Sequence, residues 1–192
     1  TADGYNRWKI DYGPGLYSGW SVEDFLEIAN FGDDYPGAVW IPAQAEGWEK
    51  ANRVGSDITY VVIHTGEANK ESIINEFTNT GLQKSSHYLV SKDGAVIQFV
   101  KDKDIAYHAG NFPYNQKSIG IEHEGFISDP NAYTQAMYQA SANLVKWLSQ
   151  QYNIQLVHPD GVAPSNPLTS TGIIAHNQVP DPNDPSKGGG IN

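Results

Sequence analysis

Tyr60-Val61-Val62-Ile63-His64 is a β-branched, apolar run that ends in an imidazole, and Gly172-Ile173-Ile174-Ala175-His176 repeats that form far downstream. Apolar runs of this length, bounded by turn residues, read as buried strands. A third run, Ser118-Ile119-Gly120-Ile121-Glu122-His123-Glu124, carries carboxylates in the same setting. A lone histidine at a strand end is ordinarily satisfied by a local hydrogen bond. Two in equivalent settings, beside a strand-borne carboxylate, have the makings of a hydrolytic metal site. Zinc takes neutral imidazole nitrogen readily, and a catalytic zinc keeps one position open for water. Side chains alternate along a strand, so Glu122 shares a face with Gly120 and Glu124 while His123 points the other way. An ionised carboxylate on an apolar strand is costly to bury without a partner or a cation. The alternative is a solvated strand face for Glu122 and Glu124.

Composition narrows the class. A chain of 192 residues with five Trp and eleven Tyr can bury one substantial core. Its net charge of −10 comes without a Lys/Arg cluster, which argues against a nucleic-acid partner. No run approaches the roughly 18–20 apolar residues of a membrane span. With no cysteine in the chain, metal ligands must be His and carboxylates. The same absence fits an extracellular bacterial protein.

Outward from these runs, the patterning predicts a mixed α/β architecture: a mixed central β-sheet flanked by helices. Residues 1–57 read as an N-terminal lead-in packing on the main domain, and 58–192 as a single globular catalytic unit. A capping box at Ser21-Val22-Glu23-Asp24 predicts a helix in the lead-in. Tyr35–Pro42 reads as a turn and a short extended piece. Strands are expected at Ile58–His64, His87–Ser91 and Ala95–Val100, the last two joined by Lys92-Asp93-Gly94, where Asp-Gly signals a hairpin. Helices are expected at about Lys70–Asn79 and about Ala132–Gln151. In the second, Tyr133, Met137, Ala140, Leu144 and Leu148 form an apolar stripe. After His176 the composition is that of a loop.

Five pieces in order resemble the zinc-dependent N-acetylmuramoyl-L-alanine amidases of the type shared with phage endolysins and peptidoglycan recognition proteins. They are Val62-Ile63-His64-Thr65, Ser86-His87-Tyr88-Leu89-Val90, Tyr107-His108-Ala109-Gly110-Asn111, Ser118-Ile119-Gly120-Ile121-Glu122 and Ile174-Ala175-His176-Asn177. The lead-in Asp34–Pro42 resembles secreted bacterial members in particular, which implies a secreted or wall-associated protein. The resemblance implies a zinc ion held by His64 and His176, with Glu122 as the catalytic carboxylate. It implies a peptidoglycan groove lined by His108, with Asn111 as a further candidate and His87 either lining the groove or serving the structure. The implied reaction is hydrolysis of the amide between N-acetylmuramic acid and L-alanine. A monomer acting on peptidoglycan or muropeptides, with neither nucleic acid nor membrane as partner, is expected.

The third ligand is where this chain departs from the family pattern. Members supply an Asp or Cys after the late histidine, in an Asp-Pro-Gly-Pro segment. Here the loop reads Asp181-Pro182-Asn183-Asp184-Pro185-Ser186. Asp184 has about the right separation from His176; Asp181 and a residue beyond Asn192 are the alternatives. Pro182 stands where relatives often place Lys, Thr or His to help an oxyanion. Some family members lose a zinc ligand and only bind wall fragments, so a non-catalytic recognition module is the rival expectation.

Overall fold

The computed structural model describes residues 7–10, 19–22, 34–129 and 131–190. Strand β5, Tyr60–Thr65, runs parallel to β10, Gly172–Ala175, on one side and to β9, Ser118–His123, on the other. Beyond β9, the sheet continues through β6, Tyr88–Val90, and β7, Val96–Gln98, to β3, Val39–Trp40. Only the β6–β7 pair within this six-stranded sheet is antiparallel, so the sheet is mixed, as expected. Two minor pairs lie apart from it: β1, Arg7–Ile10, with β2, Gly19–Val22, and β4, Trp48–Glu49, with β8, Ile105–Ala106. The expected lead-in helix falls mainly on residues 23–29, outside the described residues, although Ser21 and Val22 close β2.

Alternation sorts the strands onto two faces. On one, Val61, Ile119, Ile121, Tyr88 and Val90 pack against Met137, Leu144 and Leu148 of a long helix. On the other, Tyr60, Val62 and Ile174 pack with Tyr114, and Leu89 and Ile97 pack with Ile73 and Phe77. Both faces are covered, which explains why these strands read as continuous apolar runs.

The helices begin where side chains can satisfy free backbone N–H groups. Helix α1, Lys70–Asn79, is capped by Asn69, whose side chain accepts from Ser72 N. The six-residue α2, Phe112–Lys117, is capped by Asn111. Helix α3, Gln135–Tyr152, starts three residues after the expected Ala132, because Thr134 Oγ1 accepts from Met137 N at 3.1 Å. It ends at Asn153, which takes φ 55°. The β6–β7 turn differs from a hairpin with two positive-φ residues. Only Gly94 adopts positive φ, at 84°, and the Asp93 carboxylate accepts from Ala95 N.

Candidate active site

The parallel register places Glu122 directly beside His64 on adjacent strands, with side chains on the same face. On the opposite edge of β5, Ile174 pairs with Val62, so the chain leaves β10 at the level of His64 and His176 opens a 3-10 turn there. Gln178 holds that turn, its Oε1 accepting from Ala175 N at 2.9 Å. The three residues thus meet at the carboxyl ends of three parallel strands, the usual place for a site in an open α/β sheet. A cavity of about 620 Å³ opens there, its walls including His64, His108, Glu122 and His176 and, farther out, Lys84 and Glu76.

His64 and His176 have ring centroids 4.7 Å apart, and His64 Nδ1 lies 3.9 Å from Glu122 Oε1. Among the described residues, three buried side-chain polar atoms have no hydrogen-bond partner: Glu122 Oε2, His176 Nε2 and Arg53 Nε. Two of the three face this one cavity. Burial raises the Glu122 carboxyl to about 8, with Lys84 opposing the shift. Burial also lowers His64 well below the ordinary imidazole range, helped by His108 and His176. His176 is lowered by burial too, against a hydrogen bond to the Ala109 backbone. Neutral imidazoles with a bare nitrogen, beside a carboxyl oxygen that lacks a donor, suit a divalent cation. His64 and His176 are the residues that could hold it.

The proposed third donor is not brought to them. The Asp184 side chain is taken up by Lys187 at 2.8 Å and Ser186 at 2.6 Å, which together hold its carboxyl below the usual range. Asp181 instead accepts from Asn183 N within the same loop. Among the described residues, no group of three His, Cys, Asp or Glu side chains is arranged to hold a metal ion.

The three expected groove residues separate. His108 is in the cavity wall, yet its ring is turned to protein: Nδ1 meets His64 Nε2 at 3.0 Å, and Nε2 meets Ser118 Oγ at 3.1 Å. His87 is fully buried behind that wall. Its Nδ1 accepts from Gly120 N at 3.1 Å, and its Nε2 lies 3.0 Å from Arg53 Nη2 and 3.2 Å from the Asp104 carbonyl. Asn111 is also behind the wall, with both ends of its amide occupied. Its oxygen caps α2, and its Nδ2 donates to the Pro180 carbonyl, tying α2 to the loop after His176. His87 and Asn111 therefore shape the site from behind and do not line it.

Sequence reasoning missed Asn115, Arg53 and the role of Ser118. Asn115 Oδ1 accepts from His108 N and Ala109 N, fixing the segment that carries His108. Arg53 donates to the carbonyls of Asn115, Gln116, Ser118 and Asp102, clamping the start of β9. Burial brings its pKa down to about 10, with Asp102 opposing. A lone Arg in a Gly- and acid-rich segment carries no periodic signal. Asn115 lies in a helix too short to leave one.

A family profile described as N-acetylmuramoyl-L-alanine amidase matches residues 54–187. N-acetylmuramoyl-L-alanine amidase A of Achromobacter lyticus is 37% identical over 114 residues, spanning 59% of this chain and 62% of the relative. The 1,6-anhydro-N-acetylmuramyl-L-alanine amidase AmpD of Escherichia coli (strain K12) is 40% identical over 77 residues, 37% of this chain and 41% of the relative. This chain's matches thus cover less than two thirds of either relative. Among solved structures, a selenomethionine AmpD derivative aligns with a TM-score of 0.56 and 25% identity, over 81% of this chain and 93% of that one. The endolysin amidase LysCS from Clostridium intestinale URNW aligns with a TM-score of 0.52 over 82% of this chain and 91% of that one. At 17% identity, it speaks for the fold alone.

Proposed function

The chain belongs to the N-acetylmuramoyl-L-alanine amidase family, and from that premise we propose that it hydrolyses the amide between the lactyl group of N-acetylmuramic acid and L-alanine in peptidoglycan, with zinc at His64 and His176. The observation that carries this reading is the pair of unpartnered atoms, Glu122 Oε2 and His176 Nε2, in one open cavity. Bound there, zinc would supply Lewis acidity and a water of lowered pKa.

The protein's own groups account for the proton traffic. Glu122 accepts a proton from the attacking water and returns it to the leaving amine of L-alanine. Burial alone raises the Glu122 carboxyl to about 8 and favours its protonated form near neutral pH, and a neighbouring cation would return it toward the ionised form that can take the proton. His108 and Asn115 keep the His64 wall in place. Lys84, bridged to Glu76 at 2.6 Å, lies at the rim, where charged groups of a stem peptide would pass. The cysteine-free composition and the lead-in's likeness to secreted bacterial members support action outside the cell.

A second reading is a recognition module that binds muropeptides without cleaving them. It is favoured by one observation: Asp184 is paired with Lys187 instead of joining the two histidines. Mass spectrometry of purified muropeptides incubated with the 192-residue chain separates the two. Hydrolysis predicts free stem peptide that disappears with a chelator and returns with zinc. Retention of intact muropeptide, with none released under any metal condition, would replace the enzyme reading with the binding one.

A further inference from the structure

A short chain of hydrogen bonds runs from the base of β9 to His64, and its proton positions can be worked out from one end. Ser118 Oγ and the Tyr114 carbonyl oxygen are 2.6 Å apart. A carbonyl has no proton to give, so the hydroxyl donates. Having one proton only, Ser118 Oγ must accept from its other neighbour, His108 Nε2, at 3.1 Å. His108 Nε2 therefore carries a hydrogen. A second proton on this ring would be a charge bonded only to a hydroxyl and another imidazole, with no carboxylate on either nitrogen, so the ring carries one proton. Its Nδ1 is then a bare acceptor, and His64 Nε2, 3.0 Å away, is the donor. That leaves the lone pair of a neutral His64 on Nδ1, the nitrogen 3.9 Å from Glu122 Oε1.

We propose that Ser118 is a positioning residue: through His108 it fixes His64 as the Nε2–H tautomer, so that Nδ1 is the nitrogen offered to a cation shared with His176. This rests on the proposed cation site, but its first test does not. The ring positions are set independently of the proton. A Cβ on Gly120 would lie 2.5 Å from His108 Cγ, so only glycine lets the His108 ring lie over β9, and Asn115 Oδ1 holds the His108 backbone. Ser118 is left with the task of choosing the proton's place. A ligating histidine usually donates its other ring N–H to a fixed acceptor, and removing such acceptors weakens metal binding about 10–100-fold. Here the acceptor is a second histidine, whose tautomer is set in turn by a serine.

The test is side-chain nitrogen NMR of the histidines in the metal-free 192-residue chain, with the His64 ring assigned from a His64→Gln variant. The expected spectrum shows His64 protonated at Nε2 and bare at Nδ1. In Ser118→Ala both rings should show mixed tautomers, and Zn2+ affinity, read by competition with a chromogenic chelator, should fall about 10–100-fold. A proton on His64 Nδ1 in the parent protein would overturn the proposal, and that reading needs no variant to fold. So would a Ser118→Ala protein with unchanged tautomers and unchanged Zn2+ affinity. Neither readout involves peptidoglycan, so a chain that shows the expected tautomers but cleaves nothing would sink the proposed function and leave this role standing.

Discussion

Two polar clusters are buried against this sheet, and they are finished differently. The one around Asp102 is complete. Asp102 Oδ1 accepts from the Tyr88 hydroxyl at 2.8 Å and Oδ2 from the Tyr152 hydroxyl at 2.7 Å, while Asp34 accepts from Gln98 Nε2 and from Asp102 N. The one around Glu122 is left open: a carboxyl oxygen and an imidazole nitrogen have no partner, in a cavity that reaches solvent. Burial raises both acids, Asp102 to about 7 and Glu122 to about 8. Yet only the first has donors that offset the cost. Buried polar groups that are fully bonded specify a structure, whereas those left unbonded call for an explanation in chemistry. In this molecule the open cluster is the one at the carboxyl ends of the parallel strands.

The sharpest way to break this comparison is to remove one acid from each cluster. Glu122→Ala should lower stem-peptide release about 10²–10⁴-fold, the range of a lost general base. Its thermal midpoint and Zn2+ binding should hold or rise, since an unpartnered buried carboxyl goes with it. Retained turnover, assayed on muropeptides, would take Glu122 out of the mechanism. Asp102→Ala should do the reverse. It strands the Tyr88 and Tyr152 hydroxyls and should cost about 2–4 kcal/mol in urea denaturation, with turnover per folded molecule unchanged. A neutral result there would mean that the Asp102 cluster is not structural.

A pH series sharpens the contrast further. The folded pKa of Asp102 lies above its unfolded value of about 4, so the folded state binds the extra proton. The stability this group contributes is full below about pH 4 and is lost as pH rises through about 7. Urea midpoints should therefore fall over that window in the parent and fall less in Asp102→Asn. Parallel curves would contradict the assignment. The smallest effect is expected outside both clusters. Asp184→Ala, which removes an exposed contact to Lys187, should leave the thermal midpoint, Zn2+ affinity and peptide release unchanged. A loss of Zn2+ binding would return Asp184 to the metal site.

The contrast also explains what could be read in advance. His64, His176 and Glu122 stand out in the sequence because each interrupts or ends an apolar run, and two parallel pairings to β5 then bring them together. The long helix and the β6–β7 hairpin are legible for the same reason, since periodicity and turn residues are local signals. What was hidden depends on contacts distant in sequence. The pairing of β4 with β8 and the six-residue α2 are too short to have a period. Arg53 reaches carbonyls more than sixty residues away, and Ser118 acts through a ring ten positions earlier. His87 and Asn111 were recognisable as important residues, but motif position cannot say which side of a cavity wall a side chain occupies. Asp184 shows the same limit, because spacing from His176 says nothing about the Lys187 that captures it.

Digestion of muropeptides in ¹⁸O-labelled water tests most directly whether the open cluster cleaves the amide between N-acetylmuramic acid and L-alanine. Water attacking the lactyl carbonyl leaves its oxygen on the acyl side, so one ¹⁸O is expected in the muramic acid carboxylate and none in the released L-alanyl peptide. Label in the peptide, or at the reducing end of the glycan, would mean that a different bond is cut and would contradict the proposed function.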